Sequence, residues 1–443
     1  MKADVSSAAP PGPDGRRRRG VPTLGEVTIA PLPPGLRVRT RPVDDPGGLL
    51  DLLPDARPLC WVRDGEGLVG WGEVARFTAA GPDRFVAADA WWRSFAADLD
   101  VRDDVGAEGT GPVAFTSFAF ADGSGGSVVV VPRVVVGRVE GRAWITEFLG
   151  GDGPAVQPVR PVRPTGPLRF TDGRLPVEGY RAAVAAAVAR MRSGELDKAA
   201  LAHDLLAVAD APLDPRFLLG GLARRYPSCW SFAVDGLIGA TPELLVRRSG
   251  ATVASRVLAG TAWSEAGAPA NRAELARRLL SSEKDRWEHA LAVESLAAAL
   301  RPLCTSLDVP ETPGVLALLN VSHLSSDVHG KLDRDDPATL LSLAAAVHPT
   351  AAVGGTPRDA AVALIAELEG MDRGRYAGPV GWMDADGNGE LGIALRCAQL
   401  DGPVARLFAG CGVVADSDPD TEVREAAAKL LPVRDALTGD PSA

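Results

Sequence analysis

"FAGCGVVADSDPDTEVREAAAKL", Phe408 to Leu430, runs from a glycine-punctuated apolar stretch straight into a helix start. Ser417 or Asp418 suits the helix N-cap, and Pro419 suits the first helical position. Asp418 and Asp420 complement the positive end of the helix dipole. Glu422 and Glu425 lie three apart and therefore share a helical face, with Lys429 four residues further on the same face. Two stacked glutamates hold a hard cation if oxygen ligands arrive from elsewhere. On this segment alone, ordinary helix capping is the commoner explanation.

Outward from this stretch, the chain alternates textures. Residues Ala405–Asp418 read as a strand pair leading into that helix. "YAGPVGWMDADGNGELGIALRCAQL", Tyr376–Leu400, reads as a hairpin turning at "ADGNGE". Pro176–Leu196 reads as a helix stopping at Gly194, and Asp197–Asp210 as a strand. Ser228–Ala262 reads as short strands with turns, and Asn271–Cys304 as one long helix with apolar residues three to four apart. Further helices fall at Pro337–Val347 and Pro357–Gly370. Residues 23–165 are mostly strand-like, with a short helical piece at Asp89–Leu99. Strands and helices do not alternate strictly, which predicts a mixed α+β fold with large antiparallel sheets. Residues 1–22 read as a disordered tail, Gly150–Pro167 as the best linker, and 170–438 as the catalytic region.

Composition narrows the function classes. The 443 residues are 46% hydrophobic and 23% charged, as in a soluble globular protein. The net charge of −10 argues against a nucleic-acid backbone as partner. Cys60, Cys229, Cys304, Cys397 and Cys411 are odd in number and form no CxxC pair, which fits reduced thiols in a cytoplasm. "GRRRRG", Gly15–Gly20, lacks a following apolar segment, so no secretory signal is read there. No apolar run reaches the length of a membrane span.

Several residues carry candidate chemistry. Lys198 lies in the apolar strand "KAALA", where burial would make it a general base, or a strand edge would leave it in water. Glu243 follows Pro242 at a turn in "ATPELL", where an exposed turn acid is the plain reading. Arg396 in the apolar strand "ALRCAQL" suits a bidentate carboxylate clamp or an edge position. Gly410 and Gly412 would let successive N–H groups face an anion, or mark a bulge. Asp285 and Glu288 in "EKDRWEH" form a second acid pair three apart. If the two acid pairs face one another, four carboxylates surround one cation; otherwise Lys284 pairs Glu288 on an ordinary surface.

Taken together, "KAALA", "ATPELL", "LAGTA", "EKDRWEH", "SHLSSDVHG", "HPTAAVGGTPRDAA", "ELEGMDRGRYAGPVGW", "LRCAQL" and the opening stretch resemble, in order, the chorismate-utilising enzymes. This is the family of anthranilate, aminodeoxychorismate, isochorismate and salicylate synthases, and the likeness covers roughly residues 175–437. It implies the anthranilate-synthase-like fold: two packed, largely antiparallel sheets surrounded by helices. It also implies roles. Lys198 matches the lysine that activates water for attack at C2 of chorismate, and Glu243 the acid that protonates the departing C4 hydroxyl. Glu288 and Glu425 match direct Mg²⁺ ligands, and Asp285 and Glu422 the acids holding its waters. Tyr376, Arg396, Gly410, Gly412 and Lys429 match carboxylate-contacting positions, while Gly260, Thr261 and His323 line the same pocket. The "HPTAAVGG" segment is most similar to the isochorismate synthases, which implies a monomer without a glutamine amidotransferase, feeding menaquinone or siderophore synthesis. The sequence departs from the family pattern at His203 and Cys411.

Overall fold

A computed structural model describes residues 36–149, 160–263, 272–317, 321–335 and 337–439. The tail 1–22 and most of the Gly150–Pro167 linker lie outside the described residues. The described chain forms a 13-stranded and a 10-stranded sheet, with helices packed against both. The pairing is largely antiparallel; Arg37–Val43 beside Asp100–Asp103 is a parallel pair. This is the α+β architecture expected from the sequence.

In the larger sheet, Lys198–Ala209, Val404–Val414, Cys397–Asp401, Leu237–Thr241, Trp230–Val234 and Leu59–Arg63 are successive neighbours. In the smaller, Val321–Lys331, Thr252–Trp263, Leu244–Ser249, Gly389–Ile393, Pro379–Asp384 and Val113–Ser117 follow one another. Each sheet therefore mixes strands from both ends of the sequence. The core between and around them buries Trp61, Phe115, Trp144, Tyr180 and Phe232. Burial of each such side chain is worth roughly 1.5–3 kcal/mol. One polar pin joins the sheets: the Glu390 carboxylate accepts from Trp61 Nε1 at 2.6 Å and Trp230 Nε1 at 3.1 Å.

Two sequence expectations need correction. Asn271–Cys304 is not one helix. Helices Arg272–Ser281 and Glu283–Leu300 meet at Ser282, whose extended backbone breaks the run and whose hydroxyl accepts from Asp285 N. The periodic pattern persists across the break because both helices bury a face, so periodicity alone does not reveal it. Ala405–Asp418 is not a strand pair either. Val404–Val414 is one strand, paired with Lys198–Ala209 from Val404↔Val208 to Val414↔Lys198. Gly410 and Gly412 lie opposite Ala202 and Ala200 within that ladder rather than in a turn.

Candidate active site

The site lies where the chain changes sheets. Thr241 ends a strand of the larger sheet and Leu244 begins one of the smaller, so Glu243 occupies the crossing. Ile393 ends a strand of the smaller sheet and Cys397 begins one of the larger, so Arg396 occupies a second crossing. Arg396 is therefore not within a strand, contrary to the sequence reading. The crossings are tied together: Ile393 N donates to Glu243 O at 3.1 Å, and Ala240 N to Arg396 O at 3.2 Å. Arg396 adopts φ +46°, uncommon for a residue with a Cβ, and such geometry is kept only where neighbours enforce it.

Around this seam is a cavity of about 400 Å³, within the usual range for a small-molecule site. Glu243, Gly260, Thr261, His323, Tyr376, Arg396, Gly410, Gly412 and Lys429 line it, as do all four acids Asp285, Glu288, Glu422 and Glu425. Lys198 alone among the expected residues lies behind the wall. It is 0% exposed, which excludes the solvated strand edge, and its Nζ is 2.8 Å from Glu288 Oε1. Burial pushes the Glu288 carboxyl up, but the charges of Lys198, Lys429 and Lys284 and the Lys198 hydrogen bond outweigh it and hold it down.

Gly412 makes that pairing possible. A Cβ there would stand 2.5 Å from Glu288 Oε1 and 3.0 Å from Lys198 Cε. Gly412→Ala should therefore part the pair and lower kcat about tenfold or more, while overpacking costs about 1–3 kcal/mol. Steady-state kinetics and thermal melting check this; unchanged values for both would refute the tight fit.

Glu243 is also buried rather than an exposed turn acid. Burial pushes its carboxyl up to about 8, against a backbone hydrogen bond at Leu258 and the charges of Lys198, Lys429 and Arg396. It holds its proton at neutral pH.

The acids arrive on two helices borne by different sheets. Asp285 and Glu288 come from Glu283–Leu300, which packs on Thr252–Trp263 of the smaller sheet. His289 holds that helix down, its ring nitrogens bonded to Ala259 O at 3.2 Å and Ser326 Oγ at 2.8 Å. Glu422 and Glu425 come from Pro419–Thr438, which packs on Val404–Val414 of the larger sheet. At its start the cap reading also holds, with Asp418 accepting from Thr421 N at 2.9 Å. Lys284 does not pair Glu288. It lies 3.9 Å from Glu422 and so reaches between the helices. Burial, then Glu425 beside it, push the Glu422 carboxyl up to about 7. Lys429 pairs Glu425 at 2.7 Å and donates to Gly410 O at 3.0 Å. Carboxylate oxygens of Glu422 and Glu425 and Sγ of Cys411 lie within 4.8 Å of one another. The sequence reading missed Lys284 and Cys411 as site neighbours; both stand inside quoted motifs, but nothing in the spacing gives their direction.

The remaining wall combines an arginine with aromatic and small residues. Tyr376 stacks on Phe408 at 4.9 Å, and burial pushes its hydroxyl up. Arg396 Nη2 is 3.1 Å from His323 Nε2, and His323 Nδ1 is 3.1 Å from Thr261 Oγ1. Gly260, at φ +75°, forms a bulge that interrupts the register beside Thr261. Arg373 supports the floor, donating to Ala200 O at 2.6 Å and Val353 O at 3.0 Å.

Two packed sheets with a cavity at their crossings, where cations meet buried acids, place the candidate site at the seam of an α+β enzyme fold. The chain belongs to the chorismate-binding enzyme family, whose model matches residues 163–438. It is 34% identical over 410 residues to the salicylate biosynthesis isochorismate synthase of Pseudomonas aeruginosa, covering 86% of this chain and 84% of that one. It is 40% identical over 274 residues to the isochorismate synthase DhbC of Bacillus subtilis, covering 59% and 68% respectively. The solved structure of MenF, the menaquinone-specific isochorismate synthase from Escherichia coli, superposes with a TM-score of 0.75 at 26% identity. That match covers 92% of this chain and 96% of the other. Among the described residues, no helix is long and apolar enough to cross a membrane.

Proposed function

We propose that this chain is an isochorismate synthase, converting chorismate reversibly to isochorismate for menaquinone or siderophore biosynthesis. The observation that carries this reading is a buried lysine just behind the wall of a cavity that a buried glutamate, its carboxyl pushed up to about 8, lines. A hydroxyl displacement needs both a base and an acid. The Lys198 ammonium first gives its proton to solvent and leaves Glu288, and the amine then takes a proton from a water whose oxygen bonds to C2. The ring double bonds shift, the C4–oxygen bond breaks, and Glu243 gives its proton to the departing hydroxyl, which leaves as water. Lys198 ends protonated and Glu243 ionised; the reverse transfers through solvent reset them.

Arg396, Lys429 and the backbone at Gly410 and Gly412 counter the two carboxylates of the substrate. Asp285, Glu288, Glu422 and Glu425 suit a magnesium ion, because all are hard oxygen donors lining one cavity. When bound there, the ion supplies charge neutralisation to the ring carboxylate. Glu425→Gln replaces one such carboxylate by a neutral amide and should weaken apparent Mg²⁺ affinity about tenfold or more. Calorimetric Mg²⁺ titration checks this, and an unchanged isotherm would refute the ligand assignment.

The function is tested by chromatography of products from chorismate and Mg²⁺, with and without ammonium. Isochorismate in both is expected. Salicylate with pyruvate, an amino product, or no product would each overturn the reading.

A further inference from the structure

We propose that His323 is a positioning residue, held in its Nδ1–H tautomer, which aims Arg396 at a substrate carboxylate. The chain of contacts allows one direction only. A guanidinium has donors and no acceptor, so His323 Nε2, 3.1 Å from Arg396 Nη2, accepts. A neutral imidazole that accepts at Nε2 carries its proton at Nδ1. Nδ1–H then donates to Thr261 Oγ1 at 3.1 Å. The Gly260 bulge is what presents that acceptor to the ring, since Thr261 and His323 are register partners across Thr252–Trp263 and Val321–Lys331.

The neutral state fits the surroundings. Burial comes first, then the charges of Arg396 and Lys429, in disfavouring an imidazolium. An imidazolium would also turn an N–H toward the Arg396 N–H and break the contact. With Nη2 occupied, Arg396 Nη1 remains buried and without a hydrogen-bond partner. An unsatisfied buried donor of this kind is costly unless something meets it. Arg396 lines the cavity, so a carboxylate there is the acceptor it lacks. The left-handed backbone at Arg396 fixes the base of the side chain, and His323 fixes its tip. The identity of the carboxylate as that of chorismate rests on the function proposed above; the tautomer does not.

The test begins on the substrate-free wild-type protein. Long-range ¹H–¹⁵N NMR reads the tautomer of each of the five histidines, and the His323 signals are those missing from His323→Gln. A protonated Nδ1 and a bare Nε2 are expected; an Nε2–H or a doubly protonated ring overturns the proposal. Kinetics supply the second readout. His323→Phe keeps ring volume but has no acceptor, and should raise KM for chorismate about ten- to a hundredfold with a smaller change in kcat. His323→Gln offers an amide oxygen near the Nε2 position and should recover most of that loss. Equal KM for the Phe and Gln variants overturns the proposal. A wild-type protein without activity on chorismate overturns the function instead, and leaves the NMR result standing.

Discussion

Lys198→Ala is expected to lower kcat/KM for chorismate by about 10²–10⁴-fold, the usual contribution of a positioned base. The same change leaves Glu288 without the ammonium 2.8 Å from it. Stranding one partner of a buried pair costs about 3–5 kcal/mol, so the alanine variant is also expected to melt lower. Lys198→Gln separates the effects. Its amide can still donate to Glu288, but it cannot accept a proton from water. The glutamine variant should fold more stably than the alanine variant and be equally inactive. Turnover by Lys198→Gln within about threefold of wild type would remove Lys198 from the reaction.

The second large effect belongs to Glu243. As a general acid it works only when protonated, and its carboxyl sits near 8. Wild-type kcat/KM should therefore fall as pH rises through about 8, and Glu243→Gln should lose about 10²–10⁴-fold below that pH. Stability falls with pH as well, over a lower window. The unfolded chain releases the Glu243 proton near the ordinary carboxylate value, while the folded chain keeps it until about 8. The unfolded state then binds fewer protons across that window, so wild-type stability falls with pH there and levels off above it. At most on the order of 5 kcal/mol is lost by pH 9. Glu243→Gln lacks this titration and should melt higher than wild type at about pH 9. Chemical denaturation at several pH values tests it. Parallel wild-type and variant stability curves would contradict a buried, protonated acid.

Much of the architecture was readable in the chain. The Asp418–Pro419 cap, the Pro379–Ile393 part of the Tyr376–Leu400 hairpin and the Pro176–Leu196 helix depend on local signals, and each formed where those signals stand. Errors arose where a local signal has two outcomes. Ala405–Asp418 has the pattern of a strand pair or of one long strand, and pairing along Lys198–Ala209 selected the single strand Val404–Val414. Ser282 is tolerated inside a helix or caps one, and the approach of the second helix to the smaller sheet selected the cap. Lys284 has Glu288 at helical spacing, yet Glu422 from another helix captured it.

The candidate site divides in the same way. Spacing alone established that Asp285 with Glu288, and Glu422 with Glu425, share helical faces, because an α-helix repeats every 3.6 residues. Motif order supplied the resemblance that gave those acids a role. Whether Lys198 stands in water or in the core was open in the sequence, since a strand edge and a strand centre share one pattern. Only the tertiary structure decided it, by laying Gly412 over Lys198 and bringing Glu288 across from the other sheet. The same packing left Glu243 desolvated and gave Arg396 its partner in His323. A charge's environment is set by what surrounds it in space, and those neighbours come from segments far apart in the chain.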